Sequence, residues 1–174
     1  MNTFKILGYI ILSMIVAFLI GAFFLPNQVK ITHSREIKAP IDSVFAMVND
    51  FHNWSDWSPW YDTTKVYTIT GSTSGAGTIM RWVDKSGQVG ERTISWSSGH
   101  DSLQVVTLFR EENSSAANNF YFKSVENGTL VTVSFIMEEK FGYPFGRYIA
   151  WMISAGANKS FPLALENLEK AAVK

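Results

Sequence analysis

The sequence predicts an α+β domain built from a seven-stranded antiparallel sheet and one long carboxy-terminal helix, preceded by an amino-terminal transmembrane helix. Three observations support this prediction: seven segments in which apolar and polar residues alternate, an amphipathic segment that ends the chain, and an uncharged apolar run of about 20 residues near its start. Short connections place consecutive strands side by side in antiparallel pairs. A sheet with one apolar face must be covered, and the terminal helix is the only predicted element long enough to cover it.

Composition limits the classes of partner. The chain has 174 residues, which accommodates one domain with an appendage, and we expect an anchor over residues 1–28 and a domain over residues 29–174. Fifteen basic and fifteen acidic residues give a formal net charge of zero, which argues against a nucleic-acid partner. The chain contains no cysteine, so disulfides, a thiolate nucleophile and a cysteine-based metal site are excluded.

The apolar run Ile6–Leu25 predicts a retained single-pass membrane anchor. Its length is sufficient to span a hydrocarbon core of about 30 Å, Lys5 flanks one end and Pro26 ends the helix at the other. A cleaved signal peptide is the alternative, but its apolar region is usually shorter and ends in small residues, where this chain has Phe23 and Phe24. We expect the domain on the extracytoplasmic (periplasmic) side of the membrane, although the flanking positive charges do not fix the orientation.

The first strand and the first helix of the domain follow the anchor. Apolar and polar residues alternate over Val29–Ile37, which predicts a strand. Ala39–Val48 has helical periodicity, with Pro40 suited to the first turn and Asp42 favourable at the positive end of the helix dipole. The residues expected to face the core share the spacing i, i+3, i+4, i+7: Ile41, Val44, Phe45 and Val48.

Residues Asp50–Trp60, here called the tryptophan segment, contain three of the six tryptophans. Three indoles within seven residues, interrupted by Ser, Asp and Pro, cannot all share one face of a regular helix or strand. The segment therefore predicts a compact, turn-rich plug at one end of the core, in which each buried indole N–H needs a partner. Core packing is the principal interpretation, and a role for some rings in lining a ligand cavity is the alternative.

Six further strands are predicted from alternating segments separated by turn-forming residues: Lys65–Gly71, Thr78–Asp84, Gly90–Ser97, Ser102–Phe109, Asn118–Val125 and Thr129–Glu138. Asn127 and Gly128 between two alternating runs predict a tight hairpin, because both residues tolerate positive φ. The chain then becomes helical over Phe145–Ile153 and Asn158–Val173, with Pro162 expected near a helix start or a kink. One apolar face of the last segment carries Phe161, Leu165, Leu168 and Ala172.

Several short motifs follow one another along the domain: Arg35–Pro40, Val44-Phe45, Val48–Phe51, Trp54, Trp57–Trp60, Gly75–Thr78, Trp82 and Gly128–Thr132. With these motifs the chain, from Val29 to its carboxy terminus, resembles the polyketide cyclase/dehydrase-like members of the SRPBCC (START-like, helix-grip) superfamily, including membrane-anchored bacterial members. The resemblance implies a helix-grip fold, in which a curved sheet wraps around the terminal helix and leaves an apolar tunnel. It implies binding of lipids or other apolar small molecules and does not imply catalysis. Gly156 and Pro162 depart from a regular gripping helix.

Aromatic residues of the predicted strands and helices are the candidates for lining a ligand pocket. Phe120 and Phe122 share one strand face, while Trp82 and Trp96 lie on adjacent strands. In a domain of this kind, core and pocket belong to the same apolar surface, so the same residues are candidates for both roles. The full set of ligand-pocket candidates is Trp57, Trp60, Trp82, Trp96, Phe109, Phe120, Phe122, Phe135 and Trp151.

Evidence for catalysis in the sequence is weak. Asp56 and His52 are the candidate acid–base residues, because a carboxyl among aromatic rings can have a raised pKa. A capping or surface hydrogen-bonding role is the main alternative for both. The sequence has no nucleophile-elbow, phosphate-loop or metal-ligand spacing, so we expect neither a cofactor nor a metal.

The resulting functional hypothesis is a membrane-tethered domain that holds a hydrophobic or amphipathic small molecule, such as a lipid or a polyketide-like compound, between sheet and helix. Polar groups that would orient this ligand are His52, Asp56, Arg81 and Arg92. A cyclase- or dehydratase-like enzyme and a structural or partner-binding envelope module are the two alternatives. The sequence names no protein partner.

Overall fold

The computed structural model describes residues 3–109, 114–138 and 142–173. The helices are α1 (Thr3–Phe23), α2 (Ile41–Asn49), α3 (Trp54–Trp57) and α4 (Phe145–Ala172), with a 3-10 turn at Phe51–Asn53 before α3. The strands are β1 (Gln28–Ile37), β2 (Val66–Gly71), β3 (Thr78–Val83), β4 (Val89–Ser98), β5 (Ser102–Phe109), β6 (Ser114–Val125) and β7 (Gly128–Glu138). One seven-stranded antiparallel sheet with a long terminal helix confirms the predicted fold class.

The sheet is a meander extended by the first strand. Its order is β1-β7-β6-β5-β4-β3-β2, so β2 to β7 are sequential neighbours and β1 pairs with β7. The predicted tight hairpin joins β6 to β7, with Val125 paired to Gly128. Gly128 has φ +151°, and a Cβ there would lie 2.1 Å from the carbonyl oxygen of Ile37. Glycine is therefore required where the end of β1 approaches this hairpin.

Helix α2 covers one end of the sheet with the apolar face that its spacing predicts. Val44, Phe45 and Val48 are buried, while Ile41 is half-buried at the first turn. The ring of Phe45 packs edge-on against Phe122 of β6, with centroids 5.3 Å apart. Each large apolar side chain buried in this way contributes about 1.5–3 kcal/mol relative to an exposed one.

Helix α4 is a single element of 28 residues that packs against β1, α2 and α3. The sequence predicted two helical segments with Pro162 near a start or a kink, whereas the observed helix continues through Pro162. An interior proline costs a helix about 3 kcal/mol. Burial of the neighbouring Phe161, Leu165 and Leu168 against the core offsets that cost.

The tryptophan segment packs compactly against the carboxy-terminal end of α2, as predicted. Trp54 and Trp57 are each 2% exposed. The indole N–H of Trp54 donates to the carbonyl of Val48 at 3.0 Å, and that of Trp57 donates to the carbonyl of Met47 at 2.9 Å. Carbonyls in the last turn of a helix have no partner within the helix, so these two indoles satisfy acceptors that would otherwise be unpaired. Both buried indole N–H groups therefore have the hydrogen-bond partners that the sequence led us to expect, the carbonyls of Val48 and Met47.

Helix α1 has the length and composition of a membrane span, and equally those of a signal sequence. Almost all of its side chains are exposed, and its contacts with the described part of the domain lie near its end. The hydroxyl of Tyr148 donates to the carbonyl of Phe18 at 2.9 Å, and the two rings stack with centroids 4.6 Å apart. Arg147 donates to the carbonyl of Leu25 at 2.5 Å. These bonds join the end of α1 to the start of α4.

Candidate functional site

A partly enclosed cavity of about 240 Å³ lies between the inner face of the sheet and α4, beside the tryptophan segment. Its walls are mainly aromatic and aliphatic: Trp54, Trp60, Phe120, Phe135, Ile153 and Phe161. The rings support one another, because Phe161 lies 4.8 Å from Trp60 and 5.4 Å from Phe135 between ring centroids. Apolar walls of this kind remove a ligand's hydrocarbon surface from water.

Small residues on facing elements leave the space open. Ala116 of β6 faces the cavity from the sheet, and Gly156 and Ala157 face it from α4. A Cβ built on Gly156 would have no other atom within 4 Å, so the helix backbone borders open space there. A larger side chain at either surface would occupy volume that now belongs to the cavity.

The polar lining comes mostly from three adjacent strands. Arg92 of β4 is directly paired with Thr107 of β5, and Thr107 is paired with Ala116 of β6. Asn118 lies two residues along β6 from Ala116 and therefore points to the same face. Arg92, Thr107 and Asn118 all line the cavity, together with Ser160 of α4. The sheet thus presents one cation and two neutral polar groups to an otherwise apolar space.

Arg92 lies over two indole rings. Its guanidinium carbon is 5.4 Å from the ring centre of Trp54 and 5.0 Å from that of Trp82. Trp82 is held close to the sheet, because a Cβ on Gly90 would lie 2.0 Å from its ring. Glycine at position 90 therefore allows the ring to lie across β4, next to Arg92. Guanidinium groups are attracted to indole faces, so both rings help to fix the side chain.

Burial lowers the pKa of Arg92 to about 10, so the guanidinium is still charged at neutral pH. Within the described ranges, its side chain makes no hydrogen bond and no ion pair. The adjacent carboxylate of Glu91 is 2.6 Å from Arg81, and successive strand residues point to opposite faces. The cation at the cavity is thus separated from the nearest carboxylate in its own strand.

The predicted pocket residues divide into three groups. Trp60, Phe120 and Phe135 line the cavity. Other candidates are buried away from it, namely Trp57, Trp82 and Phe122, of which Trp82 supports Arg92. Trp96 and Trp151 are exposed on the outside of the domain, and the side chain of Phe109 lies outside the described part of the chain.

A β-bulge explains the position of Trp96. Ile94 pairs with Val105 and Trp96 with Gln104, so Ser95 is the extra residue. One extra residue reverses the alternation of side chains along the rest of the strand. Ser97 consequently points inward, where its hydroxyl donates to the amide oxygen of Asn49 at 2.9 Å, and Trp96 points outward.

The candidate acid–base residues lie on the surface rather than at the cavity. Asp56 is exposed, with the hydroxyl of Ser55 3.3 Å from its carboxylate. His52 is exposed and its Nδ1 lies 2.7 Å from the Asp50 carboxylate. Neither lines the cavity, and no lining residue in the described part of the chain is a carboxylate or a histidine. Those same described residues contain no cluster of three or more potential metal ligands.

Two features of the site were accessible only in part from the sequence. Trp54 was assigned to the core without a place in the pocket, although it borders the cavity. Of the four polar residues expected to orient a ligand, Arg92 lines the cavity, whereas His52, Asp56 and Arg81 do not. The contributions of Thr107, Asn118 and α4 depend on strand register and helix packing, which no local pattern specifies.

Comparisons with known proteins agree with this architecture. A family model described as "Polyketide cyclase / dehydrase and lipid transport" matches residues 28–173. The solution structure of a protein named KanY is 21% identical, with a TM-score of 0.59, over 86% of this chain and 100% of that one. A Staphylococcus aureus protein of unknown function is 14% identical, with a TM-score of 0.65, over 83% and 93% of the two chains. These structures show the shared fold. Comparison with curated proteins gave no match.

Proposed function

The chain belongs to the polyketide cyclase / dehydrase and lipid transport family, and on that premise we propose that its domain binds a hydrophobic or amphipathic small molecule in the cavity between the sheet and α4. The observation that carries the proposal is the cavity itself, an apolar space of about 240 Å³ with few polar groups on its wall. Trp60, Phe120 and Phe135 are the residues that we assign to ligand contact.

Affinity would come from removing apolar ligand surface from water. At about 25 cal/mol per Å², a ligand that buries about 250 Å² of apolar surface gains roughly 6 kcal/mol before the entropy of association is subtracted. Polar lining groups would add orientation rather than most of the affinity. The proposed mechanism is therefore encapsulation.

The proposal includes tethering to a membrane through α1. A helix of 21 residues, charged only at Lys5 in its first turn, is long enough to span the hydrocarbon core. Tyr143, just before α4, and Phe145, its first residue, are exposed aromatic residues that contact the end of α1. Aromatic side chains favour the boundary between lipid and water, so this arrangement supports a domain held close to the bilayer.

Mass spectrometry of the mature protein tests the tether. A retained anchor predicts an amino terminus upstream of α1 and recovery in the membrane fraction after an alkaline carbonate wash. An amino terminus downstream of α1 would show that the helix is a signal sequence. Protease accessibility of the domain in intact and permeabilised cells tests the expected extracytoplasmic location.

Binding is favoured over acid–base catalysis because the two candidate catalytic residues, Asp56 and His52, lie outside the cavity. A cyclase or dehydratase would need a proton donor or acceptor within hydrogen-bond reach of the bound substrate. Loss of turnover in Asp56→Ala or His52→Ala variants that still fold would support the enzyme instead. Unchanged ligand binding in these variants is the result that we expect.

Ligand binding is tested with the full-length protein in lipid nanodiscs. Native mass spectrometry would identify small molecules that co-purify, and thermal melting across a panel of lipids and aromatic compounds would rank them. Gly156→Phe should reduce binding, because its ring would enter the open space that borders the helix. Leu163→Phe, at an exposed position on the same helix outside the cavity, is the matched control. An equal effect of both variants would contradict the proposed site.

A further inference from the structure

We propose that the cavity selects single-chain or bicyclic amphiphiles that carry one carboxylate, and that Arg92 pairs with this carboxylate while the apolar part lies between the sheet and α4. This inference rests on the proposed function and names the ligand class for the same site. It is carried by three observations: the position of the cation, its lack of an ionic or hydrogen-bonding partner among the described residues, and the size of the cavity.

The cation is placed at the boundary of the ligand space. Arg92 lines the cavity on the inner face of β4, and its guanidinium is held beside the rings of Trp54 and Trp82. A guanidinium is planar, with N–H donors arranged as a fork along its edges. Contact with indole faces leaves these edges available, and their geometry matches the two oxygens of a carboxylate.

The polar groups beside this cation are also available. Thr107 is paired directly with Arg92 in the sheet, and Asn118 lies on the next strand of the same face. Across residues 3–109, 114–138 and 142–173, the side chains of Arg92, Thr107 and Asn118 form no hydrogen bond with one another or with other side chains. Thr107 and Asn118 can therefore donate to a carboxylate oxygen that Arg92 holds.

The two indole faces contact Arg92 but supply neither a counter-charge nor a hydrogen-bond acceptor for its edges. Removing a charge from water costs several kcal/mol unless a counter-charge or hydrogen bonds compensate. Tyr67 lies near Arg92, but burial raises the pKa of its phenol above the usual 10.0, so it is neutral at physiological pH. It cannot act as the counter-ion. A bound carboxylate would supply the missing charge.

The cavity volume limits the rest of the ligand. An apolar cavity of about 150 Å³ accommodates benzene. On that scale a volume of about 240 Å³ holds roughly ten non-hydrogen atoms, which corresponds to a short acyl chain or a bicyclic ring. The two acyl chains of a phospholipid exceed this space. The aromatic walls formed by Phe120, Phe135 and Phe161 suit either a flat ring system or a short chain.

The test compares a charged and a neutral probe of the same shape. Full-length protein in nanodiscs of zwitterionic lipid is titrated with 1-naphthoate and with 1-naphthalenemethanol, and empty nanodiscs correct for partitioning. We expect 1-naphthoate to bind about 10- to 100-fold more tightly, as a charge-assisted interaction of this kind implies. Arg92→Met should remove this preference while retaining affinity for 1-naphthalenemethanol, and Arg92→Lys should keep part of it.

Arg81→Met is the matched control, since Arg81 pairs with Glu91 and does not line the cavity. The control should keep the full preference. Retained binding of the neutral probe shows that each variant is folded. Equal loss of both probes in Arg92→Met, or no preference in the unmodified protein, would overturn the inference.

Two further outcomes separate this inference from its premise. Failure of the unmodified protein to bind either probe, or any compound of the lipid and aromatic panel, would remove the proposed function. Binding of the neutral probe without a preference for the acid would remove only the assignment of Arg92. Tighter binding of 1-naphthyl phosphate than of 1-naphthoate would overturn the choice of carboxylate.

Discussion

The guanidinium carbon of Arg92 lies 5.4 Å from the ring centre of Trp54, and the N–H of that ring donates to the last turn of α2. The indole of Trp54 therefore caps the last turn of α2 and also contacts the cation at the cavity. Because the ring is 2% exposed and its N–H is bonded, it has little freedom to move away from Arg92. The tryptophan segment connects the stability of the fold to the geometry of the site.

Replacing Arg92 by Met should stabilise the ligand-free protein by about 1–3 kcal/mol, because an unpaired cation would be exchanged for an apolar chain of similar length. Since burial lowers the pKa of Arg92 to about 10 in the fold, the folded state binds fewer protons at this site than the unfolded chain at alkaline pH. The charge thus lowers stability at every pH below about 10, and the penalty fades as pH rises above that value. Urea unfolding at pH 7 measures the change. A lower unfolding free energy in Arg92→Met would contradict it.

Affinity for 1-naphthoate should stay constant between about pH 6 and pH 9, where the acid is ionised and Arg92 is charged. It should fall as pH rises through the Arg92 pKa of about 10. Burial raises the pKa of the Tyr67 phenol, so this group stays neutral at pH 7 and pH 9. Titrations at pH 7, 9 and 10.5 measure the trend, and 1-naphthalenemethanol controls for alkaline unfolding. A parallel decline of both probes would indicate unfolding rather than loss of the cation.

Trp54→Phe should reduce the free energy of unfolding by about 1–3 kcal/mol. Phenylalanine keeps much of the buried ring but removes the N–H, which leaves the carbonyl of Val48 without its donor. The cation–π contact with Arg92 also weakens, since indole is the better partner. Trp96→Phe, at an exposed position, is the control and should change stability by less than about 0.5 kcal/mol. Equal losses in the two variants would show that the hydrogen bond has no special role.

Gly156→Ala should raise the free energy of unfolding by about 0.5–1 kcal/mol, because alanine favours a helix interior and the new methyl group meets no neighbouring atom. Ligand affinity should change much less than in Gly156→Phe, since one methyl group occupies little of the cavity. Denaturant unfolding and the probe titration measure the two effects. A destabilised alanine variant would show that this part of α4 needs the flexibility of glycine.

Local residue patterns were sufficient to predict most of the strands and helices. Alternation over β1, the i, i+3, i+4 spacing of α2 and the turn residues at the β6–β7 hairpin each depend on a few adjacent residues, and the structure confirms them. The length of α4 was only partly predictable. Pro162 suggested an interruption, but burial of Phe161 and Leu165 maintains the helix across it.

The residues that line the cavity were predictable only in part, because a bulge in β4 and the packing of α4 decide which side chains face it. The alternation of β4 placed Trp96 on the inner face, and a single bulged residue reversed it. Trp151 lies on the outer side of α4 because helix packing, rather than aromatic content, selects the buried face. The local residue pattern of neither segment predicts that Trp96 and Trp151 point outward.

The sequence by itself determined the order of strands and helices and the apolar leading helix, because periodicity and turn chemistry act between neighbouring residues; its motifs also carried the resemblance to the family. Only the tertiary structure decided where the cavity lies and what faces it. Ala116 and Gly156 border the same space although they are far apart in the chain, and Arg92 faces it through strand register. A cavity is space left between packed elements, so its position depends on long-range packing that local sequence does not encode.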